Sequence, residues 1–176
     1  LITLTSSLYA QFPHGSSLPP DTSRSLREFI DLIRWAYPPE TKVHALAEEL
    51  LQDFFSISTS EEGLLVVVGR HMNLGEGATW SPRCNVNGDD GSRGGYSCGI
   101  WSLLHILSLG VAERHTSVVG DVDRVSVQHA GQVMRAFVDK FFVGCSSCSK
   151  TFTELYDEAC CSAHNKNVDL GVADNW

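Results

Sequence analysis

Two cysteines separated by two residues, Cys145 and Cys148, form the clearest chemical pattern in the sequence, within "FFVGCSSCSKTF". They follow an aromatic pair that ends one predicted helix, and they precede the next helical pattern. A cysteine at a helix N-terminus faces the positive end of the helix dipole, which favours its thiolate. Such a thiol suits disulfide exchange, because it attacks a mixed disulfide or leaves from one readily. A structural disulfide and one half of a metal site are compatible with the same spacing.

A zinc site is the main competing interpretation of these cysteines. Cys160, Cys161 and His164 follow the pair, so Cys145, Cys148, Cys161 and His164 could supply a Cys3His set. These ligands at these spacings are typical of tetrahedral structural zinc. The alternative function is therefore a zinc-stabilised helical interaction module. Such sites usually organise folds with little core, whereas the helices predicted here have apolar faces of their own.

Trp101 and His105, in "CGIWSLLHIL", are four residues apart and therefore lie on one face of a predicted helix. They could form a wall for a planar aromatic ligand, with the imidazole as a hydrogen-bond donor. A core histidine bonded to a backbone carbonyl, with the tryptophan as packing, fits the pattern as well. His164 and Asn165 could similarly bind the edge of a purine, or could simply end a polar helix.

Charge and hydropathy exclude several classes of partner. The chain has 176 residues and a net charge of -8, so its surface would be repelled by the phosphates of nucleic acid. No apolar run reaches the roughly 18 residues that a membrane-spanning helix needs. The opening "LITLTSSLYAQF" lacks the basic region and the small-residue cleavage site of a signal peptide. The sequence opens inside an apolar segment, which favours a fragment of a longer protein.

The elements that position these residues are predicted to be helices almost throughout. In the first, Leu26, Phe29, Ile30 and Ile33 recur at the spacing of one buried helix face. "LLVVV" could be a short strand or an apolar turn, and the glycine-rich stretch that follows is predicted to be a loop. The predicted helices cover approximately 21–37, 43–54, 97–110 (ended by a glycine), 123–142 and, as a short fifth helix, 149–161. The fold class is therefore all-α.

Taken in order, these motifs resemble the Erv-type flavin-dependent sulfhydryl oxidases, and most of all the oxidase module of the quiescin sulfhydryl oxidases. The resemblance runs through "TW-x3-C", "SRGGYSCGIWSLLHILSL", "VMRAFVDKFFVGCSSC-x3-F" and "HN", over about residues 76 to 170. It implies an Erv-type helical bundle of four helices plus a short fifth. Residues 76–176 would form the oxidase module, and residues 1–75 would form the degenerate helical half-module that precedes it.

The resemblance also implies roles for single residues. Cys148 would be the thiol beside the flavin, and Cys145 would exchange with the incoming dithiol. Cys84 and Cys98 would form a structural disulfide, and no metal would be bound. The residues that match FAD contacts are Arg93, Trp101, His105, His164, Asn165 and Val168.

The implied reaction converts two thiols into a disulfide while dioxygen becomes hydrogen peroxide. Its implied cofactor is FAD, and its implied partners are thiol-containing proteins or a thioredoxin-like domain of the same full-length chain. The implied location is the secretory pathway (endoplasmic reticulum or Golgi) or the exterior of the cell. A monomer with an internal pseudo-dimer is the implied assembly, with neither nucleic acid nor a membrane as partner.

The sequence departs from the family pattern in several places, two of which fall on implied flavin contacts. After the Cys-x-x-Cys, the family usually has a histidine before the phenylalanine, as a flavin contact, whereas this chain has Thr151 before Phe152. The family ends its adenine motif as His-Asn-x-Val-Asn, whereas here the last two residues are exchanged or shifted, as Asn167 and Val168.

Overall fold

The computed structural model describes residues 17–71, 96–117, 125–142 and 146–165. This part of the chain is all-α, as predicted, and contains no strand. None of the helices described is long and apolar enough to cross a membrane. The described residues form seven helices, which are α1 (Pro20–Ala36), α2 (Lys42–Gln52), α3 (Phe54–Thr59), α4 (Glu61–Arg70), α5 (Tyr96–Ser117), α6 (Val127–Phe141) and α7 (Ser146–Asn165).

Helix α1 begins and ends where its sequence predicts. Pro20 occupies the first helical position, where a missing N–H costs nothing, and Asp21 places a carboxylate in the first turn. The face predicted from Leu26 to Ile33 is buried. The helix ends at Ala36, shortly before two consecutive prolines.

The segment "LLVVV" belongs to helix α4, so its interpretation as a strand or turn is wrong. Ser60 precedes this helix, and its Oγ accepts a hydrogen bond of 3.0 Å from the backbone N–H of Gly63. That contact caps the helix start. Leu64 and Val67, three residues apart, are buried, so the apolar run supplies one helical face.

Helix α5 continues to Ser117, past Gly110, where the sequence predicted its end. A Cβ atom at Gly110 would lie 2.6 Å from the carbonyl oxygen of Ala36. The glycine therefore allows close packing of α5 on α1 and does not terminate the helix. One turn later, the Arg114 guanidinium donates to the carbonyl of Trp35 and lies 5.4 Å from the centre of that indole ring.

One continuous apolar core joins the first and second halves of the described chain. Its centre is a stack of Phe29 on Phe137, with ring centroids 3.6 Å apart and planes at 11°. Phe141 stacks on Phe137 in turn, at 5.1 Å. Helix α1 packs against α2, α5 and α6. The predicted boundary at residue 75 lies outside the described residues and stays a prediction.

An ionic cluster fixes the C-terminal end of α4 against α2. Glu49 pairs with the Arg70 guanidinium, and its Oε2 lies 2.6 Å from Nε2 of His71. The hydrogen bond with His71 and then that with Arg70 hold the pKa of the Glu49 carboxyl below its ordinary value, because both favour the carboxylate.

Candidate disulfide redox site

Cys148 lies in the first turn of α7 and forms a disulfide. Its side chain is half-buried and packs against the apolar core. The predicted partner, Cys145, lies outside the described residues, and the pairing of these two cysteines stays a prediction. Because the Cys148 side chain is partly exposed at a helix N-terminus, its position suits disulfide exchange with a second thiol.

Three aromatic side chains lie next to one another near this disulfide, and we refer to Trp101, Phe142 and Phe152 as the aromatic wall. The ring centroid of Trp101 is 5.3 Å from that of Phe142, in an edge-to-face arrangement at 71°. It is 5.5 Å from that of Phe152, at 52°. These are favourable geometries for aromatic pairs. Phe142 is buried, whereas Trp101 and Phe152 are half-buried, so the wall is partly open to solvent.

The aromatic wall connects the two helices that carry disulfide cysteines. Trp101 follows Cys98 by three residues on α5, and Phe152 follows Cys148 by four residues on α7. One helical turn rises about 5.4 Å, so each cysteine lies about one turn from the Trp101–Phe152 contact. Cys98 is disulfide-bonded as well. Its predicted partner, Cys84, lies outside the described residues.

His105 lies one turn beyond Trp101 on α5, and its side chain is exposed. The alternative of a core histidine is therefore wrong. Trp101, by contrast, does pack against the core while keeping part of its surface open. An exposed imidazole one turn from a half-buried indole fits a residue that meets a ligand from the solvent side, which remains a prediction.

The predicted adenine contacts lie on the far end of α7. This helix extends to Asn165, beyond the predicted end near residue 161, so His164 and Asn165 belong to its last turn. At 1.5 Å per residue, His164 is about 24 Å along the helix axis from Cys148. The remaining predicted cofactor contacts, Arg93 and Val168, lie outside the described residues.

Hydrogen bonds and an ion pair between described side chains attach α7 to α6 along their contact. Next to Cys148, the Ser149 hydroxyl donates to the backbone carbonyl of Val138, at 3.1 Å. Farther along, the Arg135 guanidinium makes two hydrogen bonds to the Asp157 carboxylate, at 2.8 and 2.6 Å. These hydrogen bonds lower the pKa of the Asp157 carboxyl and raise the pKa of the Arg135 guanidinium, because they favour the charged form of each group. Paired hydrogen bonds of this kind fix orientation as well as distance.

Sequence reasoning did not identify Ser149 or the contact made by Phe152 as parts of this site. Phe152 follows Cys148 by four residues, and that spacing already placed both on one helix face. Ser149 and the ion pair of Arg135 with Asp157 had no comparable signal. Their partners lie 11 and 22 residues away in the sequence, on a different helix.

The zinc interpretation is not supported by the described residues. Within them, no group of three or more histidine, cysteine, aspartate or glutamate side chains is placed to hold a metal ion. A cysteine binds zinc as its thiolate, and the sulfur of Cys148 is engaged in a disulfide.

The fold and the site together define an all-helical protein with a half-buried disulfide at a helix N-terminus, beside an aromatic wall. Over 87% of its length the chain is 27% identical to "Sulfhydryl oxidase 2" of Homo sapiens, and it is 24% identical to the protein of that name in Mus musculus. These similarities confirm the resemblance to the sulfhydryl oxidases. The chain spans 22% of the length of each of these curated relatives. No family model matches the chain, and no solved structure matches it.

Proposed function

We propose that the chain is the oxidase module of a flavin-dependent thiol oxidase, which oxidises dithiols to disulfides and reduces dioxygen to hydrogen peroxide. The observation that carries this proposal is the half-buried disulfide of Cys148, about one helical turn from the Trp101–Phe152 contact. The similarity to proteins named as sulfhydryl oxidases supports the same chemistry.

The protein's own thiol chemistry would proceed in two exchanges. A substrate thiolate attacks the sulfur of Cys145, which forms a mixed disulfide and releases Cys148 as a thiolate. The second substrate thiol then attacks the mixed disulfide and releases Cys145. The substrate leaves as a disulfide, and the two electrons and two protons remain on the cysteine pair. The N-terminus of α7 favours the thiolate that forms at Cys148 in the first exchange.

The residues around Cys148 fit a planar redox cofactor, because Trp101 and Phe152 are half-buried and present aromatic surface near the disulfide. When bound, FAD would accept the two electrons of the dithiol and pass them to dioxygen. Trp101 would pack against the ring system and His105 would donate a hydrogen bond from the exposed face of α5. The remaining proposed contacts are Arg93, His164, Asn165 and Val168.

The proposed substrates are protein thiols, delivered directly or through a thioredoxin-like domain of a longer chain. This function requires an oxidising compartment, so we place the protein in the secretory pathway or outside the cell. We further propose a monomer in which the segment of residues 1–75 takes the place of a second subunit. A sizing column tests the assembly directly.

The visible absorption spectrum, recorded before and after dithiothreitol, tests the proposed function. We expect a flavin band that bleaches once oxygen is exhausted and returns in air, with peroxide released. Cys148→Ser should keep the band and lose bleaching by dithiothreitol, whereas the control Cys161→Ser should bleach as the wild type does. A folded chain without a flavin band, and with about one zinc per chain, would refute the proposal and restore the zinc module.

A further inference from the structure

We propose that Ser149 is a positioning residue that holds the first turn of α7 in place when the Cys148 disulfide is reduced, and so keeps that disulfide easier to reduce. This inference rests on the proposed function for its biological meaning. Its measurement, however, needs neither flavin nor turnover.

The Ser149 hydroxyl donates to a carbonyl of the neighbouring helix, and this distinguishes it from the Thr153 hydroxyl. The acceptor is the carbonyl oxygen of Val138, at 3.1 Å, on a residue whose side chain is fully buried. Thr153, one turn later on α7, instead bonds the carbonyls of Ser149 and Lys150 within its own helix. Ser149 therefore ties the turn that carries Cys148 to α6.

The acceptor is a rigid point of the fold. The Val138 carbonyl also accepts the backbone N–H of Phe142, at 3.2 Å, so both of its lone pairs are used. Phe142 is buried and packs edge-to-face on Trp101. The hydrogen bond from Ser149 thus sets the position of Cys148's turn relative to the aromatic wall.

The Ser149 hydrogen bond affects the equilibrium between disulfide and dithiol because the two forms depend on it to different extents. The opening turn of a helix lacks internal partners for its N–H groups and frays easily. In the oxidised protein the disulfide of Cys148 restrains this turn covalently. In the dithiol that covalent restraint is gone, so the Ser149 hydrogen bond contributes more to holding the turn on α6 than it does in the oxidised protein. Removing the hydroxyl therefore destabilises the dithiol more than the disulfide.

Equilibration of the full chain with glutathione measures this difference. The protein disulfide and two glutathione thiols give the protein dithiol and one glutathione disulfide, so atoms and electrons balance. Trypsin cleaves after Lys140 and Lys150, and the resulting peptide, residues 141–150, contains Cys145 and Cys148 and no other cysteine. Mass spectrometry after alkylation gives its reduced fraction. The peptide that contains Cys98 serves as an internal control.

A neutral hydrogen bond typically changes an equilibrium by about fivefold. We expect Ser149→Ala to shift the equilibrium toward the disulfide by up to about fivefold, which is about 20 mV at 29.6 mV per tenfold. Ser149→Thr keeps the hydroxyl and should restore the wild-type value. The matched control is Ser58→Ala, because Ser58 is also buried but its hydroxyl bonds a carbonyl of its own helix, α3. It should leave the equilibrium unchanged.

An unchanged equilibrium in Ser149→Ala, or an equal shift in the Cys98 peptide or in Ser58→Ala, would overturn the inference. If Ser149→Ala does not fold, hydrogen exchange of the reduced wild type decides the question. The backbone N–H groups of residues 150–152, which in an α-helix donate to the carbonyls of residues 146–148, must then remain protected from exchange. Rapid exchange at these amides contradicts a restraint by Ser149. Loss of flavin or of turnover, with the shift intact, would count against the proposed function alone.

Discussion

Replacing Gly110 by alanine tests whether α5 and α1 pack as closely as the structure shows. Alanine normally stabilises the interior of a helix by about 1 kcal/mol relative to glycine. Here the added Cβ would lie 2.6 Å from the carbonyl oxygen of Ala36 and 3.2 Å from its Cβ. Ordinary contact begins at 3.4 Å, and a backbone carbonyl cannot rotate away. The two helices must therefore separate by about 0.8 Å.

The magnitude follows from two opposing contributions. Overpacking of a tight contact costs about 1–3 kcal/mol, and the backbone position of the clash favours the upper half of that range. After subtraction of the gain in helix propensity, about 1–2 kcal/mol of destabilisation remains. Gly69→Ala on α4 is the matched control, because nothing lies within 4 Å of its added Cβ. It should be neutral or stabilising by up to about 1 kcal/mol.

Urea unfolding followed by far-ultraviolet circular dichroism measures both variants. We expect Gly110→Ala to unfold at lower urea than the wild type, and Gly69→Ala at equal or higher urea. If Gly110→Ala were as stable as Gly69→Ala, the close approach of α5 to α1 would be refuted. The reasoning that Gly110 serves packing would fail with it.

Two further changes test contacts between helices. Arg114→Lys should destabilise the fold by about 1 kcal/mol and alter Trp35 fluorescence, because lysine lacks the planar group that lies over the indole. The control Arg24→Lys, at an exposed position, should have no effect in the same urea assay. Pairing with Arg135 lowers the pKa of Asp157 below its ordinary 3.8. The stability from this carboxylate is therefore present above that value and is lost as the pH falls through the folded pKa. The urea midpoint of the wild type should accordingly fall more steeply below about pH 4 than that of Asp157→Asn, and parallel profiles would contradict the pairing.

The positions of most helices were predictable, because their apolar residues recur at helical spacing and form faces that pack into the common core. The buried face of α1 from Leu26 to Ile33 is the clearest case. Gly110 was misinterpreted because glycine is equally suited to ending a helix and to admitting a neighbouring backbone, and only the neighbour decides between them. "LLVVV" was ambiguous because five consecutive apolar residues have no periodicity.

The site was predictable as far as local spacing reaches. The Cys-x-x-Cys unit placed Cys148 at a helix N-terminus, where the structure has it. The edge-to-face contact of Trp101 with Phe142, and the hydrogen bond from Ser149 to Val138, join different helices. Contacts of that kind depend on how the helices pack, and no spacing within one helix contains that information.

The attachment of α6 to α1 has a consequence for the order in which the chain folds during synthesis. The Lys140 ammonium donates to the carbonyl of Asp21, 119 residues earlier in the chain. At ribosomal rates of about 5–20 residues per second, that interval lasts roughly 6–24 seconds. For most of that interval, Phe29 has been made and its stacking partner Phe137 has not. Cys84 and Cys98 are made within the same interval, so in the proposed oxidising compartment their thiols could be oxidised before this core is complete. A chaperone that covers the apolar face of α1 until α6 is complete would therefore favour the predicted pairing of Cys84 with Cys98.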